Sequence, residues 1–356
     1  MPLLRDSLSL SYGEVSWLLV GGYIASIIFT VLLIPASRKY SERVLTFFVS
    51  AIAVAAIFAS YFVGGMASLI FMAVLLGCAV SGLGAMSNIL VISGTPESSR
   101  GRMMCGLHAM YGVGSFLAPA SVGLIVSAGL NWRFGLWAAL PVLLSVLVFG
   151  ASKIPDTTEP ELEPGMKRSL QPVHYLVLTC FGLYVGGEVV FSMWLVTFLV
   201  ETKGLSVAAA APYATGFFAM MAGTRLLCFF GLREFQEKIL MVSSLVLSLS
   251  FIVLGHWGWL WAFPLAGVLG PYFPILLARV SRAFPREIKP LTIWILTTMQ
   301  ITLGLCHALV GRLADRIGIQ QTYLLPILLL TLAILGALLF FRWERIHRGP
   351  DLILSE

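Results

Sequence analysis

Charge is what this sequence has least of. Only 11% of its 356 residues are Asp, Glu, Lys or Arg, against about 25% in an average soluble domain, and that scarcity excludes a water-soluble globular protein. Cysteine is sparse and unpatterned. Cys78, Cys105, Cys180, Cys228 and Cys306 all fall inside apolar runs without paired spacing, which argues against a disulfide framework or a zinc site. No Gly-rich loop ending in Lys-Ser or Lys-Thr occurs, so there is no sign of an ATP-driven pump. A His-Glu-x-x-His pair, clustered carboxylates and a Ser-His-Asp arrangement are missing too, and the expectation is a protein that is no enzyme and holds no metal or cofactor. Met1 to Glu14 carry neither a basic targeting region nor a cleavable signal.

What is present is apolar. Hydrophobic residues make up 58% of the chain, and at about 20 residues per membrane-crossing helix the long runs suffice for roughly eleven spans. They read as helices at Val15 to Ala36, Val44 to Gly64, Ser68 to Ser93, Met103 to Ser127, Phe134 to Ser152 and His174 to Val200. A second set follows at Val207 to Phe230, Ile239 to Gly255, Trp257 to Ala278, Pro290 to Leu313 and Tyr323 to Phe341. The expected fold class is an all-α polytopic membrane protein. Ile154 to Pro172, rich in Pro, Glu and Asp, reads as the one true linker. It divides the chain into an N-terminal bundle (1–152), a linker (153–173) and a C-terminal six-helix bundle (174–356).

The net charge of +6 needs no nucleic-acid partner, because the basic residues sit between spans. In alternate loops, one side collects 17 of the 23 lysines and arginines, from Arg38, Lys39 and Arg43 through Arg279, Arg282, Arg286 and Lys289 to Arg342, Arg345 and Arg348. The other side has Arg5, Arg133, Lys203, Arg312 and Arg316, and Arg225 lies within a span. The positive-inside rule then places the linker and the C-terminus in the cytoplasm and, with eleven spans, the N-terminus outside.

The chain also repeats itself. The stretch from Arg38 to Leu45 aligns without gaps onto Arg233 to Leu240, an offset of 195 residues, and Leu4, Asp6, Leu10 and Ser11 fall on Leu199, Glu201, Leu205 and Ser206. A parallel duplication with a cytoplasmic linker is the organisation of major facilitator transporters. In this register His174 to Leu195 has no counterpart, so the sequence reads as a twelve-helix duplication lacking its first helix.

Several motifs carry a family resemblance. Phe181-Gly182-Leu183-Tyr184-Val185-Gly186-Gly187-Glu188 with Trp194 resembles the start of the second half in the fucose/proton symporter and glucose/galactose transporter branch of the major facilitator superfamily. Gly82-Leu83-Gly84 with Asn88, Arg100-Gly101-Arg102, and His108 through Tyr111-Gly112-Val113-Gly114 resemble helices four and five of that branch. Gly311-Arg312-Leu313-Ala314-Asp315-Arg316 resembles the end of helix eleven. Two departures stand out. Ala85-Met86-Ser87-Asn88 offers no acid where fucose symporters carry one, and Pro35 to Arg43 is a degenerate form of the superfamily signature.

An ionisable group inside a span costs roughly 2.5 to 3.5 kcal/mol, so each one calls for a reason. Glu188 and Arg225 are the two that fall clearly within spans. Glu188 lies about 21 Å along its helix at 1.5 Å per residue, near mid-membrane, and Tyr184 shares its face one turn earlier. Arg225, close to its helix end, can snorkel, and an axial gap of about 12 to 13 Å at the same rise argues against an ion pair with Glu188. The expected solute or proton pathway comprises Glu188, Tyr184, Asn88, His108, Tyr111, Gln300, His307 and Trp194. Asn88 shares a face with Ser81 and Gly84. Thr297, Gln300, Gly304 and His307 form a stripe of helical period, and Trp194 and Trp294 could stack on a sugar ring. Arg225, with Arg38, Arg43, Arg233 and Lys238 of the repeated loops, is expected to be structural or gating.

The resemblance implies a secondary transporter for a small polar solute, a monosaccharide being one candidate, co-transporting a proton or sodium as a monomer in a bacterial inner membrane. The alternatives are an exporter of amphipathic compounds on the same fold and a non-transporting membrane partner or sensor.

Overall fold

A computed structural model describes residues 12–131, 133–150, 153–154, 170–233 and 236–348. Among these, every predicted apolar stretch contains helix and no strand occurs. The helices are α1 (Tyr12–Lys39), α2 (Glu42–Ala59), α3 (Met66–Ser93), α4 (Glu97–Ser127), α5 (Arg133–Trp137), α6 (Leu140–Ser145), α7 (Pro172–Lys203), α8 (Val207–Gly231), α9 (Glu237–His256), α10 (Ala262–Leu265), α11 (Tyr272–Ala283), α12 (Ile288–Ile317), α13 (Ile319–Thr322) and α14 (Leu325–Arg348). In hydrocarbon a backbone must satisfy its own hydrogen bonds, and the helix does so within one segment. Eight helical segments among the described residues are long and apolar enough to cross a membrane, with shorter apolar helices at Gly21–Ser37 and Arg133–Val148.

Local chemistry sets the ends. The Ser41 hydroxyl accepts the Val44 amide before α2, and the Ser206 hydroxyl accepts the Ala209 amide at 3.2 Å before α8. Gly204, at φ +66°, closes α7 in the left-handed region. The repeat found in the sequence recurs here: Glu42 opens α2 and Glu237 opens α9, and both carboxylates are buried.

Two predicted spans are not continuous α-helices. Phe134 to Ser152 is divided among α5, α6 and a wider-pitched turn at Val146–Gly150, with Pro141 near the junction. Trp257 to Ala278 begins as α10, tightens into a 3-10 turn at Ala266–Leu269 and restarts as α11 after Gly270 and Pro271. Pro lacks the N–H that would carry a helix through.

The chain divides into two compact units, the first drawn from the described residues of Met1–Leu90, Gly114–Lys167 and Thr292–Thr297, the second from those of Val91–Val113, Arg168–Leu291 and Thr298–Glu356. In the first, Leu33, Leu45, Val49, Ala85, Met86 and Ile293 form an apolar core. Arg133 closes the unit's other end. Its Nε donates to the Ser60 carbonyl at 2.8 Å, its Nη2 donates to the Val63 carbonyl, and the Trp137 indole donates to the Ser60 hydroxyl at 3.0 Å. Those carbonyls lie just past the end of α2, where the Ser60 oxygen otherwise meets only the Val63 amide at 3.5 Å.

In the second unit, α7 packs along α14 and α12. Gly186 and Gly187 let the helices approach so closely that an added Cβ would stand 3.1 Å from the Cys306 sulfur and 2.8 Å from Leu330. Phe191, Phe198, Phe263, His256 and Tyr323 form an aromatic cluster, and the Tyr323 hydroxyl donates to the Phe191 carbonyl at 2.6 Å.

Candidate functional site

The second unit gathers the intramembrane polar residues of α4, α7 and α8. Tyr184 and Glu188 stand one turn apart on α7, as predicted. Against them, from α8, lies Arg225, only 4% exposed. Its Nη2 is 4.0 Å from the Glu188 carboxylate, so the predicted separation of the two charges does not hold. Counting rise along each helix omitted the reach of two long side chains, which is comparable to the gap itself. Nor does Arg225 snorkel, because its Nε donates to the Gly270 carbonyl at 2.8 Å.

Why that carbonyl is available follows from the sequence. In a continuous helix it would accept the N–H of residue 274, but Pro274 has none. Gly267 and Gly270 allow the broken segment to press onto α8. A Cβ on Gly270 would lie 2.6 Å from the Met221 carbonyl oxygen, and one on Gly267 would lie 2.9 Å from the Met221 nitrogen. The break thus delivers a backbone acceptor to a buried guanidinium.

The rest of the surroundings are aromatic. Tyr184 stacks on Tyr272 with ring centroids 4.8 Å apart, and its buried hydroxyl approaches Glu188 and Arg225 without closing a hydrogen bond. His108, on α4, meets the edge of Phe273 at 4.7 Å and feels the Arg225 charge. Glu188, Tyr184, His108 and Arg225 therefore converge, and α7 supplies half of the set.

The other predicted residues behave differently. Tyr111 is 71% exposed. Asn88 is buried in the first unit and donates to the Gly84 carbonyl of its own helix at 2.7 Å. Trp194 packs on the apolar cluster of Val190, Cys306 and Val310. Gln300 is half-buried, Lys238 likewise, and Arg43 and Arg233 are exposed. The side chains of His307 and Arg38 lie outside the described residues.

A second cluster was missed because its members read as loop charges. Glu237, 1% exposed, pairs with Arg282 and, at 3.3 Å, with Arg279. Arg279 also donates to Glu344 at 2.6 Å. Arg282 Nη1 donates to the Glu97 carbonyl at 3.1 Å, Arg100 donates to the Ser281 hydroxyl at 3.0 Å, and Gly101 lies directly against the Glu237 carboxylate. Two carboxylates and two guanidinia, all buried, tie α9, α11 and α14 together. The sequence signal was the period: Arg279 and Arg282 stand three apart, on one helical face.

Among the described residues no group of three or more His, Cys, Asp or Glu could hold a metal ion. The chain belongs to the Major Facilitator Superfamily, which it matches over residues 1–290, and it is a multi-pass membrane transporter rather than an enzyme. A search of the curated protein sequences returned no match. Among solved structures it is similar to the transporter FucP in the outward conformation, at TM-score 0.78 and 14% identity over 96% of this chain and 93% of that one. A variant of the Escherichia coli fucose:proton symporter FucP aligns at TM-score 0.75 and 15% identity, covering 92% and 90%. The human organic anion transporter MFSD10 aligns at TM-score 0.70 and 15% identity, covering 94% and 87%.

Proposed function

We propose that this protein is a secondary active transporter that moves a small polar solute by alternating access of two halves, coupled to a proton carried by Glu188. A bacterial cytoplasmic membrane is the proposed location and the monomer the working form. Similarity to sugar symporters supports a polar, sugar-like solute. The observation that carries the reading is the Glu188–Arg225 pair: two opposite charges inside the span layer, near enough to interact at 4.0 Å but not closed, since a charge-assisted bond would measure about 2.7 to 2.9 Å.

An unlocked pair of this kind can change partners. With Glu188 ionised, Arg225 is neutralised by it; with Glu188 protonated, the cation is released to a solute. Among the described residues, the ionisable groups around the Glu188–Arg225 pair include Tyr184 and Cys180 on α7, Arg225 from α8, His108 and Cys105 from α4, Tyr272 from α11 and Cys306 of α12 against Gly186. From α14 come Leu329 and Leu330, which hold the adjoining turn away from water. No second carboxylate competes among these groups, so one proton decides the charge of the site.

Reconstituted vesicles with an imposed inward proton gradient test this. Gradient-driven uptake is expected in the parent protein, and Glu188→Gln should abolish it while leaving solute exchange at zero gradient. Uptake that follows a sodium gradient instead, or that survives in Glu188→Gln, would remove Glu188 from the coupling step.

A further inference from the structure

We infer that the solute carried at this site is an anion, a small hydroxylated carboxylate of the sugar-acid type, and that Arg225 is the group that grips it. The inference rests on the reading of the Glu188 cluster as the solute site and narrows the class of solute.

The first argument is the state of the guanidinium. Arg225 is 4% exposed, yet among its nitrogens only Nε closes a hydrogen bond to the protein, at the Gly270 carbonyl. Its terminal nitrogens have Glu188 at 4.0 Å as their nearest anionic partner, beyond hydrogen-bond range. The terminal N–H groups thus have acceptors near them, Glu188 and the Tyr184 hydroxyl, but close no hydrogen bond to either, and a buried donor left unmade is costly. The fork of a guanidinium matches a carboxylate with two parallel bonds, whereas a neutral hydroxyl presents one oxygen and leaves the rest of the fork unanswered.

Charge balance is the second argument. Glu188 and Arg225 sum to zero when both are ionised, so the resting site holds no net charge. A proton on Glu188 leaves one positive charge, and one carboxylate restores neutrality. A neutral sugar would leave that charge exposed to hydrocarbon through the transport step, where an unpaired ion is disfavoured.

Third, the aromatic residues beside the pair carry a polar handle. Tyr184 and Tyr272 present stacked rings, and the Tyr184 hydroxyl is buried without a closed hydrogen bond. That hydroxyl can bond a polyol oxygen beside the carboxylate. An alkanoate would leave it unanswered.

The orientation of the fork is fixed independently of any solute. Because Nε is held by a backbone carbonyl that Pro274 leaves without an amide, one edge of the guanidinium is anchored while Nη2 stands toward Glu188. The cation is thus set in place before the solute arrives, which lowers the ordering cost of binding.

The matched probes are D-gluconate and D-glucose, which share a hydroxylated carbon chain and differ in the carboxylate. Thermal unfolding in detergent and uptake into vesicles are measured for both, with L-lactate as a carboxylate poor in hydroxyls. D-gluconate is expected to raise the unfolding midpoint and to be taken up at concentrations about tenfold or more below those D-glucose needs, the ratio that one charge-assisted hydrogen bond supplies. L-lactate should fall between them. Arg225→Lys, which keeps the charge and loses the fork, should forfeit most of the preference for D-gluconate while unfolding as a single species. The comparison in the parent protein decides the matter even if that variant does not fold. Equal handling of D-glucose and D-gluconate, still abolished under a proton gradient by Glu188→Gln, would overturn the anion assignment and leave the coupling role of Glu188 standing. Failure of all three probes to bind or move would overturn both.

Discussion

Arg225 donates its Nε hydrogen to the carbonyl of Gly270 at 2.8 Å, across 45 residues of sequence. A cation that the sequence alone places near the end of a span is thereby held inward, beside Glu188. The acceptor exists because residue 274 is proline and because glycine at 267 and 270 brings the broken segment into contact with α8.

The proline can be tested directly. Pro274→Ala supplies an N–H that competes for the Gly270 carbonyl, so the Arg225 anchor should weaken by about 1.5 kcal/mol or more, the scale of a hydrogen bond to a charged group. The measured consequence is a several-fold higher apparent KM for the transported solute with a nearly unchanged unfolding temperature. Gly270→Ala should behave oppositely, losing about 1 to 3 kcal/mol of stability, because its Cβ would stand 2.6 Å from a backbone oxygen that cannot swing away.

The buried charge cluster around Glu237 makes a sharper demand on folding. Glu237→Gln leaves Arg279 with Glu344 alone and removes the carboxylate facing Arg282. Breaking a buried pair in this way costs about 3 to 5 kcal/mol. A drop in detergent unfolding temperature well beyond that of exposed controls such as Arg233→Gln is expected.

Arg133→Ala should destabilise the first unit through a different route. The substitution removes a charged donor from both the Ser60 and the Val63 carbonyl, leaving Ser60 only the long contact from the Val63 amide. A loss of about 1.5 to 3 kcal/mol follows from one such hydrogen bond, and Arg133→Lys, which can answer only part of the geometry, should fall between. Limited proteolysis near residues 60 to 65 reads the loosening.

Membrane sidedness follows from the charge count in the loops. Cysteines introduced at Arg286 and at Lys203, both exposed, should react with an impermeant maleimide from opposite sides, Arg286→Cys only after the cytoplasmic face is opened. Labelling of both from one side would contradict the positive-inside assignment.

The spans were legible because lipid imposes one solution on an apolar run: all backbone groups paired within the segment. Tyr184 and Glu188 were legible for a similar reason, being four apart on one helix. What the sequence hid was pairing at a distance. The Glu188–Arg225 relation depends on side-chain reach across two helices, and Glu237 meets Arg279 and Arg282 more than forty residues away, so the shared helical face of the two arginines named no partner for them. Trp194 illustrates a further limit. A tryptophan near a span end is readable as ring stacker or membrane anchor, but its place against Val190, Cys306 and Val310 is decided by neighbours that arrive from another helix. The Gly-Pro-x-x-Pro run at 270–274 was the available clue to the broken span, and its meaning required knowing which donor would come to the vacated carbonyl.

That vacated carbonyl also has a mechanical meaning. Gly270 sits where a 3-10 turn gives way to α11, so a bend at this joint moves the acceptor, and the guanidinium tied to it, without any side chain having to change rotamer. Any bend of the backbone at this joint would change the reach from Arg225 to Glu188. Because the joint is main chain, side-chain drift along the segment leaves that relation intact, provided residues 267 and 270 stay small and residue 274 keeps no amide hydrogen.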